Sequence, residues 1–112
     1  LLALAYDRSE GGASIDVDAS ARELPRLLGR QVLLAGWPVT QKEVLTSQGQ
    51  VMDFVSFEDE SALYETVLFP QVYAASRVLL FDLRPLWVRG RVVVDNGALS
   101  VEVVSLSAFG PR

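Results

Sequence analysis

The chain has 112 residues, 50% of them apolar and 21% charged, with 10 basic against 14 acidic side chains and a formal net charge of −4. That size and composition describe one folded domain with a single core rather than a disordered segment, and no apolar run approaches the ~20 residues of a membrane-spanning helix. The chain has no Cys and no His, which removes disulfides, thiolate metal sites, cysteine nucleophiles and the commonest general base.

The charge is uneven. Residues 1–20 carry Asp7, Glu10, Asp16 and Asp18 against Arg8, a balance of −3, so the remaining 92 residues sit near −1. A near-neutral domain lacks the basic stripe of a strong autonomous nucleic-acid binder. Weak binding, or binding helped by neighbouring domains, is compatible with it. There is no secretory signal pattern and no initiator Met; the opening Leu1-Leu2-Ala3-Leu4 reads as part of something longer. A Cys-free chain fits the cytoplasm.

In chain order, residues 1–19 with Gly11-Gly12 read as a mobile connector. A short helix follows around Ser20 to Leu28. Ser20 and Glu23 have capping-box spacing, Pro25 falls inside the helix or starts it, and Gly29 stops it. Residues 1–28 are thus expected as a linker and short helix from a preceding domain, and residues 29–112 as the main domain.

A first strand runs from Arg30 to about Lys42. Both of its faces are largely apolar, so it is covered on both sides or bends between two sheets, with Gly36 permitting the bend. After a loop at 43–50 come two strands turned back on each other at Glu58-Asp59-Glu60-Ser61. In the first, Val51, Val55 and Phe57 face one way and Met52, Phe54, Ser56 and Glu58 the other. In the second, Glu65 sets the orientation, because an unpaired carboxylate is costly to bury. Leu63, Glu65 and Val67 therefore point outward and Ala62, Tyr64, Thr66 and Leu68 inward. Asp53 shares parity with Val55 and Phe57, so the inner face is expected to end or twist at that residue.

Pro70 suits the first position of a helix to about Leu80, with Val72, Ala75, Ser76, Leu79 and Leu80 on its core face. A fourth strand, Pro85 to Val94, puts Leu86, Val88, Gly90, Val92 and Val94 opposite Trp87, Arg89 and Arg91. Asp95-Asn96-Gly97 signals a tight hairpin into a fifth strand, Leu99 to about Leu106. Three strands, a helix and two strands predict an all-β fold: a five-stranded Greek-key OB-fold barrel with one helix between strands three and four and a short N-terminal helix. An SH3-like small barrel is the rival, but it has no long helix at that place.

Four separated stretches then carry a resemblance. Leu34-Ala-Gly-Trp-Pro-Val-Thr-Gln-Lys-Glu-Val, Met52-Asp-Phe-Val-Ser-Phe-Glu-Asp, Ala62-Leu-Tyr-Glu-Thr-Val-Leu-Phe-Pro-Gln-Val-Tyr and Leu86-Trp-Val-Arg-Gly-Arg-Val together resemble the OB domain near the C-terminus of the bacterial DNA polymerase III alpha subunit. The loop after strand one is often basic in that family, whereas Thr46-Ser-Gln-Gly carries no Lys. More distantly, Gly36-Trp37 and Phe54-Val-Ser-Phe-Glu-Asp resemble the anticodon-binding OB domains of class II aminoacyl-tRNA synthetases. There the aromatic matching Phe54 stacks on a base and a polar residue matching Glu65 reads a base edge. The resemblance implies a single-strand-binding module that handles template DNA beside the other domains of a parent polymerase. The catalytic carboxylates of such a polymerase match nothing here.

An OB groove runs across strands two and three, flanked by the loops joining strands one to two and four to five. That places Phe54 and Glu65 centrally and Lys42 at one margin, with Arg89 and Arg91 reaching toward the other. Phe54 is a candidate stacking platform, worth ~1–3 kcal/mol per base, or else packs under a loop. Arg89 and Arg91 offer phosphate contacts, or pair with Glu102. Glu58, Asp59 and Glu60 read as a solvated turn, since consecutive acids at a strand turn do not converge on one ion. No catalytic residue, metal ligand or cofactor site is expected, and without His or Cys no nucleophile–base pair is credible. The expected partner is single-stranded DNA; the alternative is a protein-docking OB module that no longer binds nucleic acid.

Overall fold

The structure, a computed structural model, describes residues 16–82 and 84–110. In order these form β1 (Val17–Asp18), a 3-10 helix (Ala21–Arg26), β2 (Gln31–Leu45), β3 (Val51–Glu58), β4 (Leu63–Leu68), α1 (Pro70–Phe81), β5 (Leu86–Asp95) and β6 (Ala98–Ala108). The five long strands pair in the order β2-β3-β4-β6-β5, and β5 pairs back onto β2 to close a barrel. This is the expected OB-fold, with its helix between the third and fourth barrel strands. Unanticipated is β1, which adds parallel to β2 with Val17 opposite Val32, followed by the Ala19 N–H donating to the Leu33 carbonyl at 3.0 Å. Residues 1–15 of the expected connector lie outside the described residues.

β2 is apolar on both faces because it serves two walls. Gln31 to Gly36 pairs with β5 and Trp37 to Leu45 with β3. At the switch, a Cβ on Gly36 would stand 2.5 Å from the Tyr64 hydroxyl, which donates to the Ala35 carbonyl at 2.9 Å. The bend therefore sits where a side chain cannot. The hairpin between β5 and β6 turns on Asn96 and Gly97, both at positive φ (52° and 78°), as a type I′ turn requires.

The core gathers Leu34, Val55, Phe57, Leu68, Val88 and Val101 from the strands, Leu80 from α1, and Ala21 and Leu24 from the 3-10 helix. The first amides of that 3-10 helix, which contains Pro25, are satisfied from outside it. Ala21 N–H donates to Asp59 Oδ2 (2.7 Å) and Arg22 N–H to Ser61 Oγ (3.1 Å), both on the β3–β4 turn, while Glu23 Oε1 accepts from the Ser20 amide (2.8 Å).

Four assignments of facing need correction, those of Ala75, Val67, Val51 and Ala62, the last read as inward and in fact exposed before β4 begins. On α1 the buried residues are Tyr73, Ser76 and Leu80, with Val72 and Leu79 half-buried, and Ala75 is exposed. The face is rotated toward Tyr73, whose phenol donates to Glu43 Oε2 on β2. Val67, read as outward, is buried between its strand partners Phe54 and Glu102. The inner face of β3 does stop at Asp53, which is itself its last inward residue, fully buried with neither carboxylate oxygen hydrogen-bonded. Val51, read as inward, is exposed at the start of the same strand.

Two acids thus meet opposite fates. Burial raises the Asp53 carboxyl above its ordinary 3.8, and the Glu43 carboxylate across the strand pair raises it further; the Lys42 amide, outside good hydrogen-bonding geometry, offsets only part. Asp59 is partly buried, which alone would raise it, but donors from Ala21, Ser61 and Ala62 outweigh burial and hold it below 3.8. The turn is therefore a cap for the 3-10 helix as well as a solvated loop.

A folded-state pKa above the unfolded value makes ionised Asp53 a cost that is absent at low pH and grows as pH rises through the folded pKa. Asp53→Asn should therefore melt higher than the parent at neutral pH, by about 1–3 kcal/mol, with the gap closing on acidification. Asp59 has the opposite sign: its contribution is present above the unfolded value and lost as pH falls through the depressed folded one. Asp59→Ala should cost about 1–2 kcal/mol at neutral pH, a loss that vanishes only under more acid conditions. Thermal unfolding followed by circular dichroism across pH measures both.

Candidate nucleic-acid interface

The outer wall of β3 and β4 is built by register. Lys42, Phe54, Val67 and Glu102 lie in one row across β2, β3, β4 and β6. Thr40, Ser56 and Glu65 form the next row. Period-two alternation turns Phe54 outward because Asp53 and Val55 on either side point in, and its ring is 40% exposed. Lys42 is exposed beside it, with no ion-pair partner among the described residues. Glu65 is held by its strand partner, since Ser56 Oγ donates to Glu65 Oε1 at 2.6 Å.

The loop 46–50 flanks this wall where β2 passes into β3, and Thr46 Oγ1 fixes it by accepting from the Gln48 and Gln50 amides. On the β6 side, a hollow of about 270 Å3 is lined by Leu63, Glu65, Leu99 and Ser100 together with Arg22 of the 3-10 helix. Arg22 supplies a cation near the wall that sequence reading missed. Its only sequence signal was helical context, and the contact spans 39 residues to Ser61. Ser56 was placed on the correct face, but its pairing with Glu65 required the hairpin register.

The structure brings Lys42, Phe54 and Glu65 together and sets Arg89 and Arg91 apart. Both arginines point outward from β5, which borders β2 and β6 rather than β3 or β4. Arg91 is the strand partner of Glu102 and donates from Nη1 to the Gly29 carbonyl at 2.9 Å. Arg89 Nε lies 2.7 Å from Asp16 Oδ2, and Asp16 Oδ1 also accepts from Gln31 Nε2. Among the described residues no group of three or more acids could hold a metal ion, and none of the helices is long and apolar enough to cross a membrane.

A closed five-stranded Greek-key barrel with its helix between the third and fourth strands defines an OB-fold domain. No protein-family model matches the chain. It is 38% identical over 80 residues to the error-prone DNA polymerase of Symbiobacterium thermophilum, covering 70% of this chain and 7% of that protein. To the error-prone DNA polymerase of Anaeromyxobacter dehalogenans it is 36% identical over 89 residues, covering 79% and 8%. The chain thus spans less than a tenth of the length of the curated relatives it matches.

Among solved structures, asparaginyl-tRNA synthetase from Pyrococcus horikoshii superposes with a TM-score of 0.63 at 22% identity, over 84% of this chain and 23% of that one. The OB domain of Ta0387 from Thermoplasma acidophilum gives 0.58 at 18% identity, over 85% and 89%. An OBody bound to hen egg-white lysozyme gives 0.62 at 16% identity, over 91% and 100%. At these identities the likeness establishes the fold.

The position of Arg89 generates a test. Its ion pair with Asp16 is partly exposed, and such pairs are worth about 0–1 kcal/mol. Arg89→Ala should lower stability by no more than that in thermal melts. Because β5 does not border β3 or β4, it should leave the salt dependence of oligonucleotide binding as in the parent, measured by fluorescence anisotropy.

Proposed function

We propose that this chain is a single-stranded nucleic-acid-binding OB module of a bacterial DNA polymerase of the alpha-subunit class, contacting the template strand near the active site of a longer parent chain. The observation that carries this reading is the exposed Phe54 ring on the β3–β4 wall, with the unpaired cation of Lys42 on one side and the fixed Glu65 carboxylate on the other. Stacking on one aromatic tolerates any base, and one or two cations give a shallow electrostatic component. The similarity to error-prone DNA polymerases supports the same reading.

Binding by the isolated chain is expected to be weak, preferential for single over double strands, and little dependent on sequence. Fluorescence anisotropy with a short labelled oligonucleotide at two salt concentrations tests it. Phe54→Ala should cost about 1–3 kcal/mol at both. Lys42→Ala should flatten the salt dependence by ~0.7 of a slope unit. Glu65→Gln, which removes a charge that repels phosphate, should bind as well as the parent or better. Unchanged binding by a folded Phe54→Ala variant sinks the stacking assignment.

The acids Glu58, Glu65 and Glu102 lie on the outer wall alongside Lys42, and this acidic character favours a second reading, a protein-docking OB module. The absence of any binding to single strands at low salt would put it first.

A further inference from the structure

A second concavity lies off the β3–β4 wall, between the β3–β4 turn and the strand ends at Pro85 and Phe109. It encloses about 570 Å3, and its walls are Trp37, Phe109 and Pro85, with Arg22, Asp59 and Glu60 on the turn side. Trp37 and Phe109 are each 49% exposed. Phe109 is fixed in place: its ring stacks on Trp87 with centroids 4.5 Å apart at 30°, and Trp87 Nε1–H donates to the Gly110 carbonyl at 3.0 Å. The Phe109 wall is therefore preorganised.

The charge around these rings is negative. Asp59 and Glu60 line the cavity, and Glu58, the exposed strand partner of Trp37, stands next to it. Among the described residues, these three carboxylates face one guanidinium in the cavity, Arg22, whose Nη2 is turned to the Ser61 carbonyl at 3.3 Å. Aromatic faces and carboxylates together attract a cation that carries an apolar stem, since the stem packs on the rings while the charge meets π-faces and acids. A phosphate backbone would meet repulsion at the same place.

We propose that this cavity receives an arginine or lysine side chain presented on an extended segment of a partner protein. The volume is sufficient for one long side chain and part of its backbone. The cavity shares Arg22 with the margin of the Phe54 wall, and Glu58 borders both, but none of Phe54, Lys42 and Glu65 lines it, so the proposal does not depend on how those three residues are used.

The probe is a capped Gly-Arg-Gly peptide titrated into the 15N-labelled 112-residue chain, with the indole N–H signal of Trp37 followed by NMR. The same peptide with citrulline in place of arginine, similar in shape but uncharged, serves as the control. The arginine peptide should shift the Trp37 signal and the citrulline peptide should bind more weakly. Trp37→Leu, followed through backbone amides around the cavity, should weaken arginine-peptide binding about two- to fivefold, and Glu60→Gln by a smaller factor; both residues are exposed, so both variants should fold. Equal binding of the two peptides, no shift with arginine, or a shift of Trp37 by a single-stranded oligonucleotide but not by the peptide would each overturn the proposal.

Discussion

The hydrogen bond from Tyr64 to the Ala35 carbonyl, made across the bare backbone of Gly36, is the constraint on which the rest of the structure rests. One strand must pair with β5 in its first half and with β3 in its second, and the corner between those halves has to be filled without a Cβ. Tyr64 fills it from β4, and its ring stacks on Phe57 with centroids 5.7 Å apart at 17°. Burial pushes the Tyr64 phenol well above its ordinary range, with the Asp59 charge adding to the effect. Fixing this corner fixes the hairpin register, which places Phe54, Ser56 and Glu65 on the outer wall. It also places Asp59 where it caps the 3-10 helix.

Much of this was legible because alternation is local. Residues 54–58 and 86–92 could be sorted into inner and outer sets from parity alone, and Asn96-Gly97 announced its own turn. The element order was enough to name the fold. Asp53 could be read only as the place where the inner face ends or twists: the rule that a lone carboxylate avoids the interior gave the correct direction for Glu65 but does not describe Asp53, which is buried. Nothing local distinguishes the two; the difference is that Asp53 shares a strand face with the fixed inward residues Val55 and Phe57 and cannot turn without reversing them. The rotation of α1 was likewise invisible, since it accompanies a bond between Tyr73 and Glu43 that are 30 residues apart.

The candidate site was legible in part. Phe54, Glu65 and Lys42 follow from strand parity combined with the position of the groove in this fold. Arg89 and Arg91 share the outward parity, which is why sequence grouped them with the site, but parity carries no information about which wall of a closed barrel a residue faces. Strand order decides that. The partners they find, Asp16 and the Gly29 carbonyl, belong to the segment ahead of β2, where sequence offered only acidic character and a glycine.

The barrel wall has one narrow join. β4 and β6 are parallel neighbours through two residue pairs, Thr66 with Val101 and Val67 with Glu102, whereas the antiparallel neighbours on either side share much longer ladders. Each of those longer ladders connects strands adjacent in the chain and can form locally, but the join brings together residues 35 apart, so loop-closure entropy opposes it until both hairpins exist. The two hairpins are in that sense separate folding units, and the wall that carries Phe54 is completed when they meet. Thermal opening of the barrel would start along the same line, beside the residues that face the proposed ligand.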